Sequence, residues 1–312
     1  MIDIVVPFYN DSDSIWRNIM YEYMAKEGSN DRQVTGEERY RDWECFKYFF
    51  RGIEENCKWV NKVFLVVASE TQVPEWLDTN NPKLRIVYHR EFIPEELLPT
   101  FNTMTIEVYL SKIKDLSDNY IYCNDDYFFL NPTNAEMFFI NDIPVYVDRK
   151  CKLEKFGAWW LEGSDGTFYQ TLNNGMDLQL EIVGDKSNWY SIDHLPVSHK
   201  KDFESEIIDK YYDTFIKANN LSRFRHGNNI SGHVFICLYK DLKPYYIFNY
   251  TNSYYVTVRS NINFNDHKNC KMICFNDTEQ LSKEDFKEIK RKMIDFFESK
   301  FPNRSSFERK EG

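Results

Sequence analysis

The sequence has little glycine and no long apolar run. Glycine accounts for only 11 of the 312 residues, which argues against a repeat architecture or a glycine-rich linker. No segment approaches the roughly 20 apolar residues that a membrane-spanning helix needs. Residues Met1–Pro7 lack the basic region and the long apolar stretch of a signal peptide, so they predict a first strand instead. We therefore expect a protein that is soluble or peripherally bound to a membrane.

Basic residues are outnumbered, and the number of cysteines is odd. There are 39 Lys and Arg against 49 Asp and Glu, a formal net charge of −10. Such a surface repels a nucleic-acid backbone on average, so a nucleic-acid partner is disfavoured. Several of the seven cysteines lie in apolar segments, which is typical of buried, reduced thiols in the cytosol. Cys270 and Cys274 lack the nearby second pair that a zinc site would need.

Aromatic residues, in contrast, are abundant at 17%, so a sizeable core can form. Apolar strands alternate with segments whose apolar residues recur at helical spacing. The predicted strands are Ile2–Phe8, Lys62–Ala68, Leu84–Tyr88 and Tyr120–Cys123, and the predicted helices cover residues 39–57 and 103–114. This alternation predicts an α/β fold with a mostly parallel, Rossmann-like sheet flanked by helices.

The length of the chain fits one catalytic domain with an added subdomain. We assign residues 1–132 and 194–312 to the catalytic α/β core. Residues 133–193 include Trp159-Trp160 and several turn signals, which predict a loop-rich and helical insertion. We expect this insertion to form a subdomain of its own.

The C-terminal part shows three further patterns. Residues 202–218 have helical spacing, and residues 233–259 are rich in aromatic and β-branched residues, which favours strands or packed aromatic segments. Ser282 precedes an amphipathic segment that ends near Pro302, so we predict a final helix with Ser282 as its N-cap.

Polar residues follow several of the predicted strands. Asn10-Asp11 follows the first strand, and Asn124-Asp125-Asp126 follows the fourth. Ligands of open α/β sheets bind beyond the carboxyl ends of the strands, and adjacent carboxylates suit a hard cation such as Mg²⁺ or Mn²⁺. Asn276-Asp277 follows another apolar run in the same way. Because Asp is also common in turns, an interpretation as loop and cap residues stays open for each.

Other candidate residues lie farther along the chain. His194 is the natural general base near neutral pH, and Arg223 and Arg225 have the guanidinium fork that matches two phosphate oxygens. Glu107 lies in the predicted helix that begins after Asn102. Taken singly, these residues could equally be a core histidine, surface arginines and a solvated helix carboxylate.

Together, however, these segments resemble the four conserved regions of the Stealth family of sugar phosphotransferases, in order. The segments that carry the resemblance are Ile2–Val5 through Trp16; Arg39–Asp42, Ile53-Glu54, Val73–Asp78, Asn81-Pro82, Leu98–Asn102, Ile106-Glu107 and Tyr122–Asp126; His194–Pro196 with Arg223–Arg225; and Cys274–Asp277 with Phe301-Pro302 and Ser306-Phe307. One departure is Asn10, which stands where the family's first region usually has a carboxylate; Asp11 or Asp13 could replace it.

The resemblance implies a glycosyltransferase-like fold and transfer of a hexose-1-phosphate or N-acetylhexosamine-1-phosphate. The donor would be a UDP-sugar, the acceptor a hydroxyl of a glycan or lipid-linked glycan, and the released nucleotide UMP. Residues 133–193 would then be the subdomain that selects the acceptor. A reaction of this kind would serve capsular or cell-surface polysaccharide synthesis in the cytoplasm, at the inner face of the membrane when the acceptor is lipid-linked.

The resemblance also implies roles for individual residues. The catalytic positions are Glu107, Asp126, His194 and Arg225. His194 is our first choice for the base, with Glu107 as the alternative. Mg²⁺ or Mn²⁺ would be held by Asp126 with Asp125, Asn276 and Asp277, and the further substrate-binding residues would be Asn10, Arg41, Asp42, Asn102 and Arg223.

Two other functions fit the same residues. A metal-dependent glycosyltransferase also binds a UDP-sugar with acidic residues at a strand end, but it would release UDP. A non-catalytic carbohydrate-binding protein would use the aromatic residues for sugar stacking and would need neither His194 nor Arg225.

Overall fold

A computed structural model of the protein describes residues 1–28, 36, 41–147, 149–152, 154–162, 166–184, 187–191, 194–247, 252–278 and 280–310. The strands are β1 (Ile2–Pro7), β2 (Val63–Val67), β3 (Leu84–Tyr88), β4 (Asn119–Tyr122), β5 (Tyr127–Phe129), β6 (Phe139–Ile140), β7 (Ile143–Tyr146), β8 (Arg149–Lys152), β9 (Tyr190–Ser191), β10 (Val197–Lys200), β11 (Tyr246–Ile247), β12 (Ser253–Thr257) and β13 (Met272–Asn276). The α-helices are α1 (Ser14–Glu27), α2 (Phe46–Asn56), α3 (Thr103–Tyr109), α4 (Ala158–Leu161), α5 (Gly166–Val183), α6 (Lys201–Lys210), α7 (Tyr212–Asn219), α8 (His233–Leu242) and α9 (Lys283–Lys300).

The central sheet has five strands in the order β10-β4-β1-β2-β3. Strands β4, β1, β2 and β3 are parallel, and only β10 at the edge runs antiparallel to its neighbour β4. All five residues of β2 are buried, as expected for a parallel strand that is covered on both faces. The predicted α/β class with a mostly parallel sheet flanked by helices is therefore confirmed.

Alternate residues of β1 point into two separate hydrophobic cores, because successive strand side chains face opposite sides of a sheet. Ile4 and Val6 lie in the first core, which includes residues of α2 and α9. Val5 lies in the second core, which includes residues of α3, α5 and α8. The sheet is thus fixed from both sides, and so are the loops that leave its carboxyl edge.

The predicted strands of this sheet are confirmed to within two residues at either end, but the helix predicted over residues 39–57 begins later than predicted. It starts at Phe46, because Glu44 has a left-handed backbone conformation, with φ 56°, that interrupts helical geometry. Arg39 and Tyr40, which belong to the predicted helix, lie outside the described residues. Ser282 is confirmed as an N-cap: its Oγ accepts a hydrogen bond from the Asp285 backbone N–H at 3.0 Å.

The prediction of strands or aromatic segments over residues 233–259 is wrong for its first ten residues, which form α8. Val234, Phe235, Cys237 and Leu238 of α8 are buried in the second core. Burial around the helix therefore overrides the strand preference of its residues. The predicted helix over 202–218 is divided at Tyr211 into α6 and α7.

The segment predicted as an insertion, residues 133–193, contacts the rest of the protein closely. It contains strands β6–β9 and helices α4 and α5. Helix α5 packs on α8, and Leu172 of α5 lies in the second core together with Trp189. Strand β7 pairs with β11 from the C-terminal part. Its assignment as a separate acceptor-specificity subdomain stays a prediction.

The C-terminal segment is held by a group of paired charges and polar groups, which we call the C-terminal anchor: Arg51, Glu298, Glu308, Ser305 and the carbonyl of Phe301. Arg51 donates two hydrogen bonds of 2.8 Å to Glu308 and one of 2.8 Å to the Phe301 carbonyl. Arg51 and Glu308 are only 5% and 7% exposed. The anchor therefore attaches the end of the chain to α2 with every charge paired.

The prediction of buried thiols is confirmed for the cysteines whose side chains are described. They are Cys45, Cys57, Cys123, Cys237, Cys270 and Cys274, all free. Among the helices of the described ranges, none combines the length and apolar character needed to cross a membrane.

Candidate active site

The carboxyl edge of the central sheet carries the candidate site. Strands β1 and β4 are parallel neighbours, so the polar residues that follow each of them lie at the same edge. Residues 124–126 form the turn between β4 and β5, and β5 pairs with β13 of a second, three-stranded sheet. The backbone N–H of Phe275 in β13 donates to the Asp126 carbonyl at 3.1 Å. This pairing brings Cys274 and the Asn276-Asp277 segment to the end of β4.

Glu107 reaches this edge from helix α3. The helix begins at Asn102, whose Oδ1 accepts a hydrogen bond from the Met104 backbone N–H at 3.1 Å. The Glu107 side chain contacts Tyr122 at the end of β4. The Tyr122 hydroxyl lies 2.9 Å from Glu107 Oε1 and 2.5 Å from Asn124 Oδ1. Burial raises the pKa of Glu107, although the hydrogen bond from Tyr122 and the charge of Arg225 oppose the rise.

His194 lies next to Asn124, with 3.2 Å between its Nε2 and the Asn124 Nδ2. Its ring contacts the rings of Tyr127 and Tyr255 edge-on, at centroid distances of 5.2 and 5.5 Å. Part of the residue is exposed, and burial of the rest together with the charge of Arg225 lowers the pKa of His194 to about 4. His194 is therefore neutral at pH 7 and able to accept a proton.

Arg225 lies in the loop that precedes α8, and its Nη2 donates to Thr103 Oγ1 at 3.2 Å. Asn229, which is fully buried, holds this loop. Its Oδ1 accepts hydrogen bonds from the His226 backbone N–H at 2.7 Å and from Asn102 Nδ2 at 2.8 Å. Asn102 thus joins the helix of Glu107 to the loop of Arg225, and its polar groups are used in this structural link.

The carboxylates at the strand end fit a divalent cation. Asp126 Oδ1 is buried without a hydrogen-bond partner, while Asp126 Oδ2 accepts a hydrogen bond from the Cys274 thiol at 3.2 Å. Burial and the charge of Asp126 raise the pKa of Asp125 to about 7, and burial raises that of Asp126 to about 6. A cation would remove both costs, and carboxylate oxygens are the ligands that Mg²⁺ and Mn²⁺ prefer. Ligand atoms of Asp126, Cys274 and His194 lie within 4.8 Å of one another.

Asp277 is already engaged by other residues. Arg41 binds its carboxylate through Nε at 2.6 Å and through Nη2, and Trp43 Nε1 donates at 3.0 Å. Asp277 and Arg41 therefore lie beside the site as an ion pair. Its charge still contributes to the raised pKa of Asp126. The Asn276 side chain donates to the Asp277 carbonyl at 2.7 Å.

The loop after β1 contains Asn10, which stands where the family usually has a carboxylate, and Asp13, which could replace that carboxylate. Asn10 Oδ1 accepts from the Ser12 backbone N–H at 3.1 Å. Asp13 is the N-cap of α1, and its second oxygen accepts hydrogen bonds from Thr71 Oγ1 at 2.6 Å and Gln72 Nε2 at 2.9 Å. Asp13 is thus used structurally.

Of two further predicted substrate-binding residues, Asp42 acts on the site electrostatically and Arg223 contacts a different part of the protein. Arg223 Nη1 donates to the Glu96 carbonyl at 2.8 Å, which directs it to a neighbouring loop. Asp42 accepts from the Glu44 backbone N–H at 2.6 Å, and its charge contributes to the raised pKa of Asp125. Asp42 is therefore electrostatically part of the site, whereas no contact connects Arg223 to it among the described residues.

We call the joined residues the strand-end site: Glu107, Tyr122, Asn124, Asp125, Asp126, His194, Arg225 and Cys274. The structure brings together the four predicted catalytic positions, Glu107, Asp126, His194 and Arg225. Tyr122 is a site residue that the sequence pattern does not single out. The feature that could have indicated it is the two-residue spacing from Asn124, which places both side chains on one face of an extended segment.

Comparisons with known proteins place the chain among polysaccharide phosphotransferases. Residues 39–145 match the conserved region 2 of the Stealth proteins, and residues 264–312 match the conserved region 4. The capsular polysaccharide phosphotransferase WcwK of Streptococcus pneumoniae is 33% identical over 99% of this chain and 98% of that protein. The exopolysaccharide phosphotransferase cps2G of Lactiplantibacillus plantarum is 27% identical over 99% and 96%. The solved galactosyltransferase LgtC is 9% identical over 93% of this chain and 95% of its own, with a TM-score of 0.40, a likeness that indicates nothing about activity.

Proposed function

The chain belongs to the Stealth family of polysaccharide phosphotransferases, and we propose that it transfers a hexose-1-phosphate or N-acetylhexosamine-1-phosphate from a UDP-sugar to a hydroxyl of an acceptor glycan. UMP is the second product, and the new linkage is a phosphodiester of a capsular or cell-surface polysaccharide. A lipid-linked acceptor would bring the protein to the inner face of the membrane. The observation that carries the proposal is the convergence of His194, Arg225 and the Asp125-Asp126 pair at one edge of the sheet.

The acceptor hydroxyl gives its proton to His194. The oxygen of the acceptor hydroxyl then forms a bond to the phosphorus that bears the sugar. The bond between this phosphorus and the bridging oxygen breaks, and that oxygen leaves with UMP. The bond between C1 of the sugar and its oxygen stays intact, so the anomeric configuration is retained. Burial and the charge of Arg225 lower the pKa of His194 to about 4, so the imidazole is unprotonated at pH 7 and has a lone pair that can accept the proton.

Charge neutralisation and positioning dominate the barrier of a phosphoryl transfer. The charge of Arg225 lowers the pKa of both Glu107 and His194, so its guanidinium lies near both groups. We therefore assign Arg225 to bind oxygens of the transferred phosphate. Asp125 and Asp126 would hold Mg²⁺ or Mn²⁺, which would neutralise the diphosphate. Asn276 follows Phe275, whose backbone N–H donates to the Asp126 carbonyl, and the charge of Asp42 acts on Asp125.

Of the two candidate bases, His194 is favoured over Glu107. His194 is the more exposed of the two, so an acceptor glycan can reach it. Glu107 is occupied by the hydroxyl of Tyr122. Glu107 therefore acts behind the reacting atoms.

The leaving nucleotide tests the proposal. Purified protein is incubated with Mg²⁺, an acceptor glycan and each of a panel of UDP-hexoses and UDP-N-acetylhexosamines, and the nucleotide products are separated. We expect UMP. Release of UDP would overturn the proposal in favour of a glycosyltransferase, and sugar binding without any nucleotide release would favour a carbohydrate-binding protein.

A histidine substitution tests the base. His194→Ala should lower kcat for UMP release by about 10²- to 10⁴-fold, as expected when a general base is removed. His267→Ala is the control, because His267 lies in a short helical turn that packs against Phe275. Near-normal turnover by His194→Ala would rule out its role as the base.

A further inference from the structure

A continuous line of side chains connects the half-buried Glu107 to His194 at the surface. The Tyr122 hydroxyl lies 2.9 Å from Glu107 Oε1 and 2.5 Å from Asn124 Oδ1, and Asn124 Nδ2 lies 3.2 Å from His194 Nε2. A phenol has one proton, so Tyr122 can donate to only one of its two oxygen neighbours. The protons in this line must therefore be distributed in one of two ways.

In the first distribution, Tyr122 donates to Asn124 Oδ1, and Glu107 must be protonated to donate to Tyr122. Asn124 Nδ2 then donates to His194 Nε2, which places the imidazole proton on Nδ1. One imidazole nitrogen is then occupied as an acceptor, and the other carries a proton. A neutral His194 in this state has no nitrogen left to take a proton from the acceptor.

In the second distribution, the Asn124 amide is turned by half a rotation, which exchanges its nitrogen and oxygen at the same two positions. Tyr122 donates to an ionised Glu107, Asn124 Nδ2 donates to the Tyr122 oxygen, and Asn124 Oδ1 accepts from His194 Nε2–H. Every hydrogen bond has one donor and one acceptor. The Nδ1 atom of His194 is then unprotonated and free to act as the base.

We propose that Tyr122 and Asn124 are positioning residues that hold His194 in its Nε2–H tautomer and connect it to the carboxylate of Glu107. The inference rests on the proposed role of His194 as the base. When His194 takes the proton of the acceptor, the new positive charge lies at one end of a line of oriented hydrogen bonds whose other end is anionic. Such a line stabilises the imidazolium and fixes the ring, as a directly bonded carboxylate does in other histidine bases.

The fold holds the middle of this line rigidly. Tyr122 is the last residue of β4, which lies between β1 and β10 in the central sheet. Its ring contacts the ring of His199 edge-on, with centroids 6.2 Å apart, and His199 Nδ1 is bonded to the buried Glu204 at 2.7 Å. Tyr122 therefore has little freedom to turn away from Glu107.

The first test reads the tautomer directly and needs no activity. The full-length protein is labelled with nitrogen-15 histidine, and the His194→Ala variant assigns the resonances of His194 among the six histidines. The two nitrogens of a neutral imidazole have different shifts, so the spectrum at pH 7 shows which one carries the proton. We expect the Nε2–H tautomer in the wild type and a mixture in Asn124→Leu. A predominantly Nδ1–H tautomer in the wild type would overturn the proposal.

The second test measures kinetics in Tyr122→Phe, which removes only the hydroxyl. We expect kcat for UMP release to fall by about 10- to 100-fold, the range seen when a group that orients a catalytic ligand is lost, with KM for the donor within about twofold. Tyr120→Phe is the matched control: it lies on the same strand and its buried hydroxyl bonds to Glu204, but no contact leads from it to Asn124. An equal fall of kcat in the two variants would mean a merely structural role and overturn the proposal.

The two tests separate this inference from the proposed function. Normal UMP release by His194→Ala would remove the base role of His194 and overturn this inference, whatever the tautomer, while the proposed transfer of a sugar phosphate would stand. Loss of release in His194→Ala combined with an Nδ1–H tautomer would preserve the proposed function and overturn only the roles of Tyr122 and Asn124. Thermal unfolding of Tyr122→Phe and Tyr120→Phe shows whether each variant is folded.

Discussion

The C-terminal anchor and the strand-end site both keep carboxylates away from water, but they satisfy them differently. In the anchor, both oxygens of Glu308 accept hydrogen bonds from Arg51, and one accepts a further bond from the Ser305 backbone N–H at 2.8 Å. In the strand-end site, Asp126 keeps one buried oxygen without a partner, beside the carboxylate of Asp125. Every carboxylate oxygen of Glu308 in the anchor is hydrogen-bonded, whereas Asp126 in the strand-end site offers one oxygen to a ligand.

The pKa values of the two regions move in opposite directions for this reason. Burial by itself would raise the pKa of Glu308, but hydrogen bonds from Arg51 and Ser305 outweigh it and lower the pKa. No cationic side chain binds Asp125 or Asp126 in the described part of the chain, and burial raises their pKa to about 7 and about 6. Charges that stabilise the fold are paired within the protein, and those that serve a ligand are left for the ligand to pair.

The largest effect is expected from breaking the anchor. Glu308→Ala leaves the Arg51 guanidinium buried without its carboxylate, which should lower the free energy of unfolding by about 3–5 kcal/mol in urea denaturation. The double variant Arg51→Met with Glu308→Leu should recover much of this loss, because it leaves no unpaired charge. A loss below about 1 kcal/mol in Glu308→Ala would show that the anchor is not a closed unit.

Mg²⁺ should stabilise the strand-end site and leave the anchor unaffected. Mg²⁺ that binds only the folded protein adds about 2.7 kcal/mol at a free concentration 100 times its Kd. We expect this increase in wild-type thermal unfolding and its loss in Asp126→Asn. The control is Asp295→Asn, which removes an exposed carboxylate paired with Arg291 on α9. Equal stabilisation of Asp126→Asn would contradict the assignment of Asp126 as a ligand.

The pH dependence of stability should have opposite signs in the two regions. A carboxyl whose pKa is raised on folding stabilises the protein while protonated, and this contribution is lost as the pH rises from about 4 to about 7 for Asp125 and Asp126. Glu308, whose pKa is lowered, contributes stability that is lost as the pH falls.

This difference can be measured without metal by comparing the wild type with the double variant Asp125→Asn and Asp126→Asn. The double variant should gain on the order of 1–2 kcal/mol relative to the wild type when the pH is raised from 5 to 8. The curves would run parallel if the strand-end carboxyls had ordinary pKa values.

The smallest effect concerns Asp13, which could have supplied the carboxylate that Asn10 lacks. The structure uses both of its oxygens in hydrogen bonds, one of them as the cap of α1. Asp13→Ala should therefore cost about 1 kcal/mol of stability, the usual value of an N-cap, while stabilisation by Mg²⁺ persists. If Mg²⁺ no longer stabilised the Asp13→Ala variant, Asp13 would have to be counted among the metal-binding residues.

Much of the sheet could be predicted because its strands are locally distinctive. The apolar runs of β1 to β4 and the N-cap at Ser282 are readable from a few neighbouring residues. Helix α8 could not be predicted in this way, because its aromatic and β-branched residues favour strands until packing against α5 decides otherwise. Two of the site residues, Tyr122 and Cys274, are ordinary core residues by sequence, and they become part of the site only through their neighbours.

The alternation of strands and helices, the acidic residues at strand ends and the resemblance to the Stealth proteins can all be read from the order of residues alone. These features depend on the residues of a few turns or strands. The contact of Glu107 with Tyr122, and that of Asn124 with His194, which is 70 residues away, follow only from how the chain folds. The tertiary structure also decided that Asp277 pairs with Arg41 rather than facing the site alone. Contacts of this kind depend on how helices pack on the two faces of the sheet, and no local pattern encodes that packing.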